Sequence, residues 1–202
     1  MFSIDPSSNS IRENYKLLIG SIVPRPIAFV TTQTKEGVIN GAPFSYFSIV
    51  SADPPMLSVA VQRTKGIQKD TARNAIAQKE FVVHIVDEEN VKQVNETAAM
   101  LPPDKSEVEA SGLQSVDSTV VSVPGVKEAK IRMECVLEHV LELGGGEHPS
   151  TDLLIGKIVQ FHINEDVYEN GKICADRLKA VSRLAGNDYA KIGDIFTLER
   201  PK

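Results

Sequence analysis

The hydrophobic pattern divides the chain into six or seven short strand-like runs and few helical ones. IAFVTT, from Ile27, is rich in β-branched residues and bounded by turn signals. Lys35-Glu36-Gly37 reads as a turn, after which VINGAPFSYFSIVS resumes a strand that Gly41 and Pro43 interrupt. PMLSVAVQ alternates Leu57, Val59 and Val61 with smaller residues, and EFVVHIV is continuous enough in apolar residues to be central. KIRMECVLEHVLEL alternates cleanly at period two until Gly144-Gly145-Gly146 breaks it; LLIGKIVQFHIN follows, with a turn at Asn170-Gly171. Residues 12–19 and 70–78 read as helices, with Asp70 or Thr71 expected to cap the second. Val91, Val94, Ala98 and Met100 fall at helical spacing until Pro102-Pro103, and a short helix is expected around Tyr189. Residues 104–128 are loop-rich, with a Pro124-Gly125 turn.

So many strands with so few helices between them argue against a doubly wound parallel sheet. They predict one mainly-β domain over 12–202, an antiparallel barrel with peripheral helices, preceded by a leader over 1–11. The 202 residues are 42% apolar and 24% charged, as in an ordinary globular protein. With 22 basic and 27 acidic residues the net charge is −5, which excludes the basic footprint of a nucleic-acid binder. The N-terminus lacks the build of a signal peptide, and no apolar run approaches the ~18 residues that cross a bilayer. A cytoplasmic location, off the membrane, is expected. Cys135 and Cys174 lie far apart with no CxxC, as free thiols of a reducing compartment do. Cys135 shares an alternating face with Ile131, Met133 and Leu137, so it reads as a core thiol. His84, His139, His148 and His162 are scattered, and no metal site is expected. There is no GxGxxG, P-loop or GxSxG.

Between residues 24 and 71 the pattern departs from plain β alternation. Arg25 is clamped between two prolines. Asn40, Gly41, Ala42, Pro43 and Ser45 interrupt a strand where a ligand can approach the backbone. Arg63, Lys65, Lys69, Asp70 and Thr71 gather before a helix start, where free amides, the helix dipole and basic side chains favour a phosphate. Asn40-Gly41 is also a hairpin signal, but the Gly37 turn is too close to leave a strand between them, so a kinked strand is expected.

PRPIAFVTT, NGAPFSYFSIVSADPP, Arg63 with KDTARN, and the closing Arg183, Gly186 and Tyr189 resemble the flavin reductase-like family of FMN-binding split barrels. The resemblance runs over roughly residues 15–201. It implies a six-stranded antiparallel Greek-key split β-barrel and a homodimer with FMN near the subunit interface. By this resemblance Thr31, Thr32, Asn40, Ala42, Ser45, Tyr46 and Phe47 line the flavin, and Arg63, Lys69 and Thr71 approach its phosphate. His148, Arg183 and Tyr189 are implied near the flavin face. The expected activity is an NAD(P)H-dependent flavin reductase, with free flavin, a ferric chelate or a partner oxygenase as acceptor. Arg25 is the candidate to stabilise negative charge on the reduced flavin; the alternative is that it only caps a loop. Without a dinucleotide fold, weak discrimination between NADH and NADPH is expected. An FMN electron carrier that does not oxidise nicotinamide, a barrel that has lost flavin, and a pyridoxamine-phosphate-oxidase-like barrel are the competing readings.

Overall fold

The computed structural model describes residues 1–144 and 148–201. In chain order its elements are α1 (Ile11–Ser21), β1 (Arg25–Pro26), β2 (Ala28–Gln33), β3 (Ile39–Phe44), β4 (Phe47–Ala52), β5 (Pro55–Gln62), α2 (Asp70–Gln78), β6 (Glu80–Ile85), α3 (Val91–Glu96) and α4 (Glu107–Ala110). They continue with β7 (Ser115–Val116), β8 (Gly125–Val126), β9 (Ile131–Leu143), β10 (Thr151–Ile163), β11 (Tyr168–Glu169), β12 (Lys172–Ile173), α5 (Ala175–Leu178), β13 (Val181–Arg183) and β14 (Tyr189–Lys191). The expected break at Gly144-Gly145-Gly146 is described only at Gly144, whose φ is +96; Gly145 and Gly146 lie outside the described residues.

One antiparallel sheet dominates, in the order β3-β2-β6-β9-β10-β5-β4. Its two edges, β3 and β4, are consecutive in sequence and joined only by Ser45 and Tyr46. That link spans at most about 11 Å, so the end of one edge and the start of the other lie close together. The edges share no ladder, which leaves a slit between them. The main sheet thus has seven strands where six were expected. VINGAPFSYFSIVS is two strands, broken at Ser45-Tyr46 rather than at Asn40–Pro43. Asn40 to Phe44 keep an unshifted register with β2, so the kink expected there is absent. Pro43 is tolerated because β3 is an edge strand with one ladder partner. Gly41 answers a packing need: a Cβ there would lie 2.7 Å from Val108 Cγ2 and 2.8 Å from Phe29 Cζ.

Alternation along the strands separates two cores. Val30, Val59, Val61, Phe81, Val83, Cys135 and Leu154 fill one, with the Cys135 thiol pushed up by burial, as its alternating face predicted. On the other side of β2, Phe29 packs with Val86, Val94, Val108, Val126 and Val181 beneath α3, α4 and β8. The expected helix at Tyr189 is instead strand β14. Arg183 pairs with Tyr189 across a turn at Gly186, whose φ is +59, so the R-x-x-G-x-x-Y spacing builds a hairpin. A three-stranded sheet, β1-β13-β14, carries that hairpin beside α1.

His84 is 1% exposed in the second core. Its Nδ1 lies 2.9 Å from the Phe29 carbonyl, and its Nε2 accepts from the Val126 amide at 3.0 Å. These bonds suit the neutral ring, and burial lowers its pKa from 6.5 to about 4. The unfolded chain therefore binds this proton first as pH falls below 6.5, and the folded state loses stability down to about pH 4. Between pH 7.5 and 5 the expected loss is about 2 kcal/mol. Urea melts of wild type and His84→Gln check it: the slope with pH in this window should be specific to wild type.

Candidate functional site

The start of α2 is the local feature on which the site is built. Lys69 is its N-cap and no side chain caps it. Asp70 and Thr71, expected as caps, are occupied otherwise. Asp70 pairs with Arg73 at 2.6 Å, and Thr71 Oγ1 donates to Asn40 Oδ1 at 2.9 Å. The first amides of the helix are thus left for another acceptor.

Asn40 is the hub of a buried polar network. Its Oδ1 accepts from Thr71 and, at 3.2 Å, from Thr32 Oγ1; its Nδ2 donates to Glu107 Oε2 at 3.0 Å. Glu107 also faces the Gly41 amide at 3.4 Å, and Asn74 Nδ2 reaches Thr32 at 3.4 Å. β2, β3, α2 and α4 are locked together through these groups. A half-satisfied network would be costly, and this one is closed among its own members.

Two cavities flank Pro43, Phe44 and Lys69. The larger, of about 680 Å³, is lined by Asn40, Ala42, Lys69, Thr71, Met100 and Glu107 among others. The smaller, of about 150 Å³, lies at the Ser45-Tyr46 break, with Tyr15, Arg25 and Arg183 in its wall. Lys69 Nζ stands 5.9 Å from the Phe44 ring centroid, between the two. Arg25 is 6% exposed. Its guanidinium donates to the carbonyls of Ile19 at 2.7 Å, Ile22 at 2.6 Å and Leu184 at 2.8 Å, so it holds α1 and the β13–β14 turn to the barrel.

Asn40, Ala42, Ser45, Tyr46, Lys69, Thr71, Arg25 and Arg183 are therefore brought together around the two cavities. The other anticipated residues lie elsewhere. Thr31 is buried and donates to the Pro124 carbonyl at 2.7 Å, and Phe47 packs on the barrel core. Thr32 sits one bond behind Asn40. Arg63, anticipated at the phosphate, forks onto Asp152 through Nε at 2.9 Å and Nη2 at 2.6 Å, and also reaches Glu142. Asp152 is wholly buried. Burial pushes its carboxyl up, but hydrogen bonds from Arg63 and Gln68 hold it below the usual range. Tyr189 donates to Asn95 at 2.9 Å, and its ring lies under Arg183. His148 is exposed, beside Gly66. Glu107, Gln68 and Tyr15 were not anticipated. The one local signal for Glu107 was the helix start at Ser106, whose Oγ accepts from the Glu109 amide at 3.3 Å.

A family model, the flavin reductase like domain, matches residues 19–179. The chain belongs to the flavin reductase-like family. Nitrilotriacetate monooxygenase component B from Bacillus cereus is 60% identical, with a TM-score of 0.97 over 98% of each chain. The 2-nitrobenzoate 2-nitroreductase NbaA of Pseudomonas fluorescens is 31% identical, with a TM-score of 0.89 over 99% of this chain and 96% of its own. A split-barrel-domain protein from Shewanella frigidimarina superposes with a TM-score of 0.84 at 20% identity over 96% of each chain, and this likeness bears on the fold alone. The molecule is accordingly a flavin-binding oxidoreductase with a mainly-β split-barrel fold. No described helix is long and apolar enough to cross a membrane.

Proposed function

We propose that the protein is an NAD(P)H-dependent flavin reductase that holds FMN in the larger cleft and delivers electrons to a partner oxygenase, free flavin or a ferric chelate. The observation that carries this reading is the uncapped start of α2, with Lys69 beside it, opening on that cleft. An anion-binding helix start and a cavity of cofactor size fit a flavin mononucleotide. Lys69 and the first amides of α2 would hold the phosphate, with Thr71 set behind them by Asn40. Ala42, Pro43 and Phe44 would wall the ring. Arg63 would act from behind, through Asp152 and Gln68, by fixing the turn that leads to Lys69. Bound FMN supplies two-electron hydride chemistry; the chain supplies position, exclusion of water and positive charge.

The partner oxygenase is supported by the name of the Bacillus cereus protein, a component of a monooxygenase. A homodimer is supported by apolar side chains that face solvent in the chain: Ile49 on β4 and Ile192, Ile195, Phe196 and Leu198 after β14.

The test is spectroscopic. Purified protein should carry, or take up, FMN with flavin absorbance bands, and NADH should bleach them under anaerobic conditions. Protein that binds FMN yet is not bleached by either nicotinamide is an electron carrier; protein that FMN neither colours nor stabilises against heat refutes the whole reading. Lys69→Met should weaken FMN binding about tenfold, the worth of one charge-assisted hydrogen bond. Fluorescence titration with FMN reads this directly, and an unchanged Kd would place the phosphate elsewhere.

A further inference from the structure

Glu107 is a buried charge that neither the fold nor the holding of FMN calls for. It is 6% exposed and sits on the short helix α4. That helix is pressed onto β3. Val108, 1% exposed, packs in the second core, and Gly41 opposite it leaves room where a Cβ would lie 2.7 Å from Val108 Cγ2. Glu107 is thereby fixed against Asn40. Both of its hydrogen bonds end on Oε2, from Asn40 Nδ2 at 3.0 Å and from the Gly41 amide at 3.4 Å. Among the described residues no Lys, Arg or His pairs with it. Asp70, the other acidic residue of the cleft wall, is taken by Arg73. Burying a carboxylate without a cation is costly, and a neutral carbonyl oxygen with two lone pairs would accept the same two bonds. A glutamine would therefore serve the network at lower cost. The use of the charge lies outside the network, and Glu107 lines the larger cleft.

Two-electron reduction leaves negative charge on a flavin ring, and a carboxylate facing the same cleft repels it. We propose that Glu107 sets the cleft against reduced flavin, so that reduced FMN is held more weakly than it would be beside a neutral side chain and is the stronger reductant for it. The inference rests on the reading of the larger cleft as the flavin site. Lys69 pulls the other way, from the start of α2 on the same cleft, and the balance of the two sets the potential. At an effective dielectric constant of about 20, a unit charge roughly 10 Å from the ring changes the ratio of reduced to oxidised affinity about tenfold. Glu107 also repels the FMN phosphate. That repulsion is alike in both oxidation states and cancels in the midpoint potential, which therefore isolates the effect on the ring.

Glu107→Gln and Glu107→Asp in the full-length protein are the test. Each is loaded with FMN and its midpoint potential is measured anaerobically against a reference dye. Glu107→Gln should hold reduced FMN about tenfold more tightly relative to oxidised FMN, which makes the potential more positive by roughly 30 mV. Glu107→Asp keeps the charge and should keep the wild-type potential. Without FMN, Glu107→Gln should melt no lower than wild type, since its carbonyl oxygen still accepts from Asn40 and Gly41. An unchanged or more negative potential in Glu107→Gln overturns the inference. So does an equal positive shift in Glu107→Asp, which would trace the effect to shape and not to charge. A lower melting temperature for Glu107→Gln, or its failure to fold, overturns it as well, because the fold itself would then need the charge. Fluorescence titration with oxidised FMN separates the two readings. If FMN binds neither wild type nor variants, the flavin reading fails and takes the inference with it; if FMN binds all three at one potential, the inference alone fails.

Discussion

Replacing Glu134 by alanine is expected to cost about 3–5 kcal/mol of folding stability at neutral pH. Glu134 lies on β9 with its side chain fully buried. Its carboxylate accepts from the Thr119 amide at 2.7 Å, the Val120 amide at 2.7 Å and the Val121 amide at 2.9 Å. His162 Nε2 lies 2.5 Å away on the other side. Burial pushes the carboxyl pKa up, yet the Thr119 amide, His162 and the remaining amides outweigh it and hold the group at about 2. Among the described residues the carboxylate is the only acceptor of these three amides, so alanine leaves them together without one. Glutamine presents one acceptor and one donor to the same amides and should lose roughly half as much. Because the folded pKa is depressed, the Glu134 contribution is whole above pH 4.5 and vanishes as pH falls toward 2. Urea melts at pH 7 decide the matter: a loss below about 1 kcal/mol would mean that water replaces the carboxylate. The effect reaches β2 too. The loop tied down by Glu134 leads into Pro124, whose carbonyl receives Thr31 of β2.

Local pattern carried much of this molecule. The helix over 70–78 and the strand PMLSVAVQ coincide with α2 and β5, because period and bounding turn residues are properties of neighbours in sequence. Asn40, Lys69 and Thr71 were likewise legible one by one, since an interrupted strand and a helix start are each local signals, although the bond from Thr71 to Asn40 spans 31 residues. Partners distant in sequence were not legible. Arg63 and Asp152 are 89 residues apart, and nothing near Arg63 says that a buried carboxylate will claim it before a phosphate does. Glu107 reaches Asn40 across 67 residues, from a segment without periodicity. The break at Ser45-Tyr46 was misplaced for a related reason. Gly41 and Pro43 are the conspicuous residues, but the chain turns where the sheet must cross from one edge to the other, a requirement of closure and not of composition. The R-x-x-G-x-x-Y spacing was recognised while its hairpin was not, because a left-handed Gly186 is equally at home after a short helix.

Arg25→Ala is expected to lower stability by about 3 kcal/mol, the cost of releasing three carbonyls from a buried cation and opening space behind it. The carbonyls belong to Ile19 and Ile22 at the end of α1 and to Leu184 in the β13–β14 turn, so the loss should free both elements from the slit of the barrel. Arg25→Lys should recover less than half of it, because one ammonium on a flexible stem cannot reproduce the fork that reaches Ile19 and Leu184 at once. Loop capping and charge stabilisation were alternative readings of Arg25 from the sequence, and a melting curve reads only the first. The second has its own measurement. With the charge removed from beside the flavin cleft, the midpoint potential of bound FMN should become more negative by roughly 30 mV, the equivalent of a tenfold change for a two-electron couple. Arg25→Lys keeps the charge and should keep most of the potential while still losing stability. A potential that is unchanged in Arg25→Ala would leave Arg25 as a clamp alone, and the positive charge needed by the reduced flavin would then fall to Lys69 or Arg183, which line the same wall.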